Sequence, residues 1–302
     1  MAFPEQLAQA VQSKGNPVVV GLDPRADSLP PGFIDGESPA AVARGFAKFC
    51  REVLDVVAPL VPVVKPQAAF FEQSGPAGMA ALHEVIEYAA SRNLIVILDG
   101  KRNDIGSTAE AYAHAYLGRR PVSVWGCDAL TVNPYLGDDS LEPFVEAASS
   151  RGAGVFVLVK TSNPGSGRFQ DLVADGRPLY RHVADLVESL AKRTMGSGQY
   201  GAVGAVVGAT YPRELAELRQ AMPHAWLLLP GYGAQGATAA DCAQALDERG
   251  LGALVNSSRA ILYAYQRPEY RERFGVARWQ EATEAATQQM IAELRAASRR
   301  SP

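Results

Sequence analysis
The chain has 302 residues, of which 47% are hydrophobic and 20% charged, with a formal net charge of −3 and a pI near 5.9. That is ample apolar material for one large core, and the slightly acidic balance argues against nucleic acid, whose binders carry a clustered basic excess. Cys50, Cys127 and Cys242 are scattered without C-x-x-C spacing and read as reduced, mostly buried thiols, and no stretch is apolar and long enough to span a membrane.

In chain order, residues 1–15 carry Glu5 and Gln6 and no long apolar run, which predicts a short helix rather than a secretory signal. A cytoplasmic location is the expectation. Short aliphatic runs follow at Pro17–Leu22, Pro62–Lys65, Leu94–Asp99, Ala129–Val132, Gly154–Lys160, Ala202–Gly208, Ala225–Pro230 and Ala253–Asn256. Helical patterns lie between them: Ala40–Val57, Pro76–Ser91, Ser107–Leu117, Leu141–Ser149, Leu179–Thr194, Pro212–Ala221 and Thr238–Glu248. An amphipathic stretch, Ala277–Ala297, ends near Arg295, Arg299 and Arg300, cations that suit a helix C-terminus.

Alternating helices with continuously apolar strands mean parallel strands covered by helices. Eight such units, with no G-x-G-x-x-G after the first run, predict an α/β fold of the (β/α)₈ TIM-barrel type, one domain over residues 1–302. Two connections exceed what a minimal barrel needs, Asp23–Pro39 and Thr161–Pro178, and both are candidate lids.

In such a barrel, function resides at the C-terminal ends of the strands. The polar residues there are Asp23, Lys65, Asp99 with Lys101, Asn133, Thr161 with Ser162, Thr210, the Pro230–Gly236 loop, and Asn256 to Arg259. The densest cluster is Asp99-Gly100-Lys101-Arg102-Asn103-Asp104. Asp99 and Lys101 are two apart at a strand end, so they project from one face. Ser107 and Glu110 have capping-box spacing, which starts the next helix near Ser107 and leaves Asp104 in the mouth loop. The plainer reading is a salt-bridged strand end followed by a helix cap.

A second group points to phosphate. Gly231, Gly233 and Gly236 follow the seventh run, and Asn256-Ser257-Ser258-Arg259 follows the eighth. Barrels often hold phosphate there on backbone N–H groups and a helix start, and an arginine adds a two-pronged grip. A Gly-rich loop alone is more often a plain turn; its place beside Arg259 gives it weight. His83, His114, His182 and His224 lie in or beside helical patterns or before a strand, and read as surface or packing residues. No H-E-x-x-H, G-x-S-x-G or EF-hand spacing is present.

Asp99-x-Lys101-x-x-Asp104-Ile105-Gly106-x-Thr108 resembles the signature of the orotidine 5′-phosphate decarboxylase family. The resemblance extends through Gly21-Leu22-Asp23-Pro24, Val64-Lys65-Pro66-Gln67, Thr131-Val132-Asn133-Pro134, Pro230-Gly231-x-Gly233-Ala234-Gln235-Gly236 and Asn256-Ser257-Ser258-Arg259, covering residues 17 to about 262. The length and the Lys65-Pro66-Gln67 wording resemble the longer bacterial (type 2) branch. The wording departs from shorter members at Thr161–Gly167, and Ser258 stands where many relatives have glycine.

The resemblance implies a homodimer of barrels that converts orotidine 5′-phosphate to UMP in pyrimidine biosynthesis, with no cofactor and no metal. Lys65, Asp99, Lys101 and Asp104 match a catalytic charge array, Asp104 coming from the partner subunit. Asp23 and Thr108 match ribose-binding positions, Thr108 also across the interface. Thr161 or Ser162 would read the pyrimidine edge. Pro230, Gly233, Gln235, Ser258 and Arg259 match the phosphate loop and grip.

The implied chemistry leaves negative charge at C6, unconjugated with the ring carbonyls, so the uncatalysed step is among the slow ones. Lys101 would stabilise that charge and then protonate C6, with Asp99 and Asp104 flanking it. Three alternatives stay open. A sugar-phosphate aldolase would use Lys101 as a Schiff-base amine, which needs a lowered pKa that neighbouring aspartates oppose. A metal-dependent barrel would share an ion between Asp99 and Asp104, against competition from Lys101. A non-catalytic phosphate-ligand binder would need no such array.

Overall fold
The computed structural model describes residues 1–233 and 236–298. A strand forms at each predicted apolar run, and β2, β3 and β8 extend beyond the predicted ends: β1 (Val18–Leu22), β2 (Val63–Pro66), β3 (Ile95–Arg102), β4 (Ala129–Val132), β5 (Gly154–Lys160), β6 (Val203–Val207), β7 (Leu227–Leu229) and β8 (Ala253–Ser257). They are mutually parallel and close into a barrel in the order β1-β8-β7-β6-β5-β4-β3-β2. β-Branched and aliphatic residues fill them because both faces are covered.

Side-chain alternation divides the strands between two cores. Val19, Val63, Ile97, Phe156, Leu228 and Leu254 point into the barrel, whereas Val18, Val20 and Leu22 face the helical shell. The N-terminal helix, Phe3–Lys14, contributes Phe3, Leu7 and Val11 to the inner core. Phe3 meets Phe156 edge to face at 6.2 Å, and a Cβ on Gly154 would lie 2.3 Å from the Phe3 ring. Gly154 opens β5, so this helix covers the N-terminal end of the barrel and leaves the opposite end for chemistry.

The C-terminal helix, Trp279–Ser298, packs against the helix Pro39–Val57 through Phe49 and Trp279, whose rings are 5.1 Å apart. The 23–39 connection is tied into this corner. Phe33 meets both rings edge to face, and Tyr265 Oη donates to the Ser28 carbonyl at 2.7 Å.

Three local expectations are corrected. Ser107 and Glu110 form no capping box: the helix is Gly106–Tyr116, and Ile105 precedes it without a side-chain cap. Asp104 Oδ1 instead accepts the Ile105 N–H, and Gly106 turns the chain at φ +49°. The helix expected over Thr238–Glu248 spans only Ala239–Ala243, although Thr238 and Asp241 do build a capping box. It stops early because Asp247 Oδ1 accepts the N–H groups of Arg249 and Leu251, fixing a turn there. The 161–178 segment is not a bare loop. It folds into a short helix, Gly167–Gln170, and a hairpin of Val173–Ala174 with Arg177–Pro178. Among the described residues, no helix is long and apolar enough to cross a membrane, and all three cysteines are free and buried.

Candidate active site
The end of β3 departs from regular strand geometry, and the site is built on that departure. Pairing with β4 steps from Leu98↔Leu130 to Arg102↔Val132, so three residues of β3 oppose Thr131 alone. Lys101 takes a left-handed φ of +45°, which costs a non-glycine residue about 1–2 kcal/mol. Thr131 spans the bulge: its Oγ1 accepts the Lys101 N–H at 2.9 Å and donates to Asp99 Oδ1 at 2.9 Å. Asp99 and Lys101 do meet, as their spacing predicts, but through this bulge and not through simple alternation.

Asp99 is the hub. Its Oδ1 also accepts from Lys101 Nζ at 2.7 Å, and its Oδ2 from Lys65 Nζ at 2.9 Å and Gln67 Nε2 at 3.0 Å. β2 brings Lys65 and Gln67 alongside, and Gln67 bridges Asp99 directly. Lys65 and Asp99 are buried, whereas Lys101 is half exposed at the mouth. Burial pushes the Asp99 carboxyl up, but the two lysines outweigh it and hold Asp99 well below the usual carboxylate range. Burial pushes Lys65 down, yet the charges of Asp99 and Asp23 leave it above an ordinary lysine. Asp23, Lys65, Asp99 and Lys101 thus alternate in sign around the mouth.

A cavity of about 220 Å³ opens over this array, lined by Lys65, Asp99, Lys101, Thr131, Ser162 and Pro230. Buried oxygens at the ends of other strands have no partner among the described residues: Asp23 Oδ1 after β1, Thr210 Oγ1 after β6 and Asn256 Oδ1 in β8. Such atoms are ordinarily satisfied by a ligand or ordered water. A separate recess of about 740 Å³ is lined by Arg25, Gly233, Arg259 and Arg267, a cationic pocket beside the glycine-rich loop. Gly21 permits the approach of β1 to β8, since a Cβ there would lie 1.9 Å from Ser258 Oγ.

Residues 16–273 match the profile of the orotidine 5′-phosphate decarboxylase / HUMPS family. The chain belongs to this family. An orotidine 5′-phosphate decarboxylase of Rhodopirellula baltica is 56% identical over 300 residues, covering 98% of this chain and 99% of the relative. One of Deinococcus radiodurans is 45% identical over 266 residues, covering 87% and 89%. The solved OMP decarboxylase of Leishmania donovani superposes with a TM-score of 0.76 at 32% identity, over 100% of both chains.

Within the frame of a family decarboxylase, the remaining residues divide clearly. Ser162 lines the cavity at the mouth. Thr161 borders it too, but its N–H and hydroxyl are both bound to Gln170 and its hydroxyl donates to Asn163. Pro230 lines the mouth cavity, and Gly233, with φ +71°, lines the cationic recess with Arg259, which opens the helix Arg259–Leu262. Ser258 Oγ sits 3.5 Å from Asn256 Nδ2. Tyr232 is a packing residue: it is buried and its hydroxyl is bound to Glu293 of the C-terminal helix.

Asp104 forms no ion pair with Lys101 of its own chain, whose ammonium is bound to Asp99. It is partly exposed, is bonded to its own following N–H, and makes no ion pair among the described residues. Thr108 is exposed in the first turn of the next helix. Gln235, Arg299 and Arg300 lie outside the described residues. Sequence reasoning assigned no role to Gln67 or Thr131, although both stood inside quoted motifs. Their polarity near two strand ends was the available signal.

Proposed function
We propose that this chain decarboxylates orotidine 5′-phosphate to UMP and carbon dioxide in pyrimidine biosynthesis, with Lys101 as the catalytic cation and acid. The observation that carries this reading is the Lys65–Asp99–Lys101 array, buried at Lys65 and Asp99 and open at Lys101, with four donors converging on Asp99 at a barrel mouth. In the reaction the C6–carboxylate bond breaks, carbon dioxide leaves, and the electron pair stays on C6. Lys101 Nζ stands fixed where that charge develops and delivers a proton to C6, forming the C–H bond of UMP. Preorganised electrostatics and general-acid catalysis then act through one group. Asp99, locked by Lys65, Gln67 and Thr131, holds that ammonium in place without moving during the reaction.

The other contacts follow from position. Asp23 Oδ1, buried and without a partner among the described residues, suits a ribose hydroxyl. Ser162 faces the base, and Gly233, Ser258, Arg259 and Gln235 serve the phosphate, with Pro230 walling the base end. Phosphate binding supplies energy remote from C6 that is spent on orientation. A metal shared by Asp99 and Asp104 has poor support, because both oxygens of Asp99 are already occupied by lysine, glutamine and threonine donors. A Schiff-base role for Lys101 is likewise disfavoured by its 2.7 Å ion pair with Asp99.

The active unit we propose is a homodimer in which Asp104 and Thr108 complete the partner's site. Two facts support it: Asp104 has no cationic partner among the described residues of its own chain, and large apolar side chains are exposed just after β3 and its neighbour β4. Ile105 is 58% exposed, and Tyr135 and Leu136 after β4 are 81% and 48% exposed, an apolar rim of the kind that marks interfaces. The deciding assay follows the ultraviolet change of orotidine 5′-phosphate with chelator-treated protein, wild type against Lys101→Ala. Rapid turnover lost in the variant is the expected result. A well-folded wild type without turnover would sink the decarboxylase reading.

A further inference from the structure
The end of β5 carries a second buried lysine that the reaction does not use. Lys160 is 3% exposed. Its ammonium lies 5.2 Å from the Tyr180 ring and 5.4 Å from that of Tyr211, and its ion-pair partner is Asp171. The adjacent Gln170 makes two further bonds to the strand end. Its Oε1 accepts the Thr161 N–H at 3.0 Å, and its Nε2 donates to Thr161 Oγ1 at 2.8 Å. The Thr161 hydroxyl in turn donates a hydrogen bond to Asn163 Oδ1 at 2.7 Å. The helix Gly167–Gln170 is therefore stitched back onto residues 160 and 161.

Ser162 sits between these ties and β6. The Gly208 N–H donates to the Lys160 carbonyl at 2.7 Å, and a Cβ on Gly208 would come within 2.9 Å of the Ser162 backbone nitrogen. The backbone of Ser162 is thus confined on both sides. Its hydroxyl has no protein partner among the described residues, and it lines the same cavity as Lys101.

We propose that Gln170 and Asp171 are positioning residues for recognition of the pyrimidine. Through Thr161 and Lys160 they latch the start of the 161–178 segment, so that Ser162 presents its hydroxyl to the base. Thr161 is then a pin of the latch and not the reader. Lys160 enforces the closed arrangement, because a buried ammonium without its carboxylate is strongly unfavourable. The inference rests on the reading of Ser162 as the pyrimidine contact.

The test is a double-mutant cycle read by calorimetry with two probes, UMP and ribose 5-phosphate, the second lacking the base. Gln170→Ala is the primary variant, since Asp171→Asn strands the buried Lys160 and carries a risk to folding. Gln170→Ala is expected to weaken UMP about tenfold, the effect of one or two lost hydrogen bonds, and to leave ribose 5-phosphate unchanged. Gln170→Glu, which keeps the acceptor for the Thr161 N–H, restores most of the loss. In a Ser162→Ala background Gln170→Ala has no further effect, because the two act through one contact. A loss in Ser162→Ala with none in Gln170→Ala overturns the latch and leaves the Ser162 reading intact. A Gln170→Ala loss that is undiminished beside Ser162→Ala, or equal for both probes, also overturns it. UMP bound at wild-type strength by Ser162→Ala removes the reading of Ser162 and the latch with it.

Discussion

At the residue scale, the behaviour of the site with pH follows from Asp99 and Lys65. The folded-state pKa of Asp99 is lowered, so its contribution to stability is complete above the ordinary carboxylate value of about 3.9 and is lost as pH falls through the lowered one. Lys65 is raised, so its contribution is complete below about 10.4 and is lost only as pH climbs past the raised value. The pair is therefore fully effective throughout the neutral range. Asp99→Asn keeps the shape but leaves Lys65 buried without its main counter-ion, a loss of about 3–5 kcal/mol near pH 7. The difference from wild type in urea unfolding should shrink as the solution is acidified below the carboxylate range, where wild type also loses the charge. A difference that stays constant into strong acid would contradict this account. Arg259 is tested by kinetics instead: Arg259→Ala should lower kcat/KM roughly 100-fold, the scale of lost charge-assisted hydrogen bonds. An efficiency near wild type would remove Arg259 from the phosphate grip.

At the scale of elements, the two ends of the barrel answer to different demands. The N-terminal end is sealed by the Phe3 helix, and Gly154 is glycine because the Phe3 ring occupies the space of a side chain. Gly154→Ala should cost about 1–3 kcal/mol in denaturant unfolding, as overpacking does, while kcat at saturating substrate stays near wild type. Phe3→Leu should relieve part of that cost, so the pair is less than additive. A drop in kcat with unchanged stability would mean that the two ends of the barrel are coupled. The same contrast explains what was legible in the sequence. Strand positions were readable because a strand covered on both faces must be continuously apolar, and the mouth residues were readable because they are charged where such runs stop. The Thr131 contact was not, because it depends on a bulge that sets three residues of β3 against one of β4. Neither was the end of the 239–243 helix, since the turn on Asp247 competes with a pattern that is still helical. The latch of Gln170 on Thr161 joins residues nine apart across a short helix, beyond the reach of periodicity.

At the scale of the whole molecule, the two aspartates of the proposed catalytic array, Asp99 and Asp104, differ in their partners. Asp99 is locked to Lys65 and Lys101, whereas Asp104 sits partly exposed before Ile105 and forms no ion pair among the described residues of its own chain. A two-fold axis through the exposed apolar rim would deliver each Asp104 to the other subunit's Lys101, since an isologous interface makes every contact twice. Hybrid dimers give the decisive prediction. Lys101→Ala and Asp104→Ala are each expected to be nearly inactive alone. Mixed and allowed to exchange, they form heterodimers in which one site has lost both residues and the other has regained both. With random exchange about a quarter of all sites become wild type, and activity should rise to that fraction. If Asp104 served its own chain, every site in the mixture would still lack one residue and no activity would return.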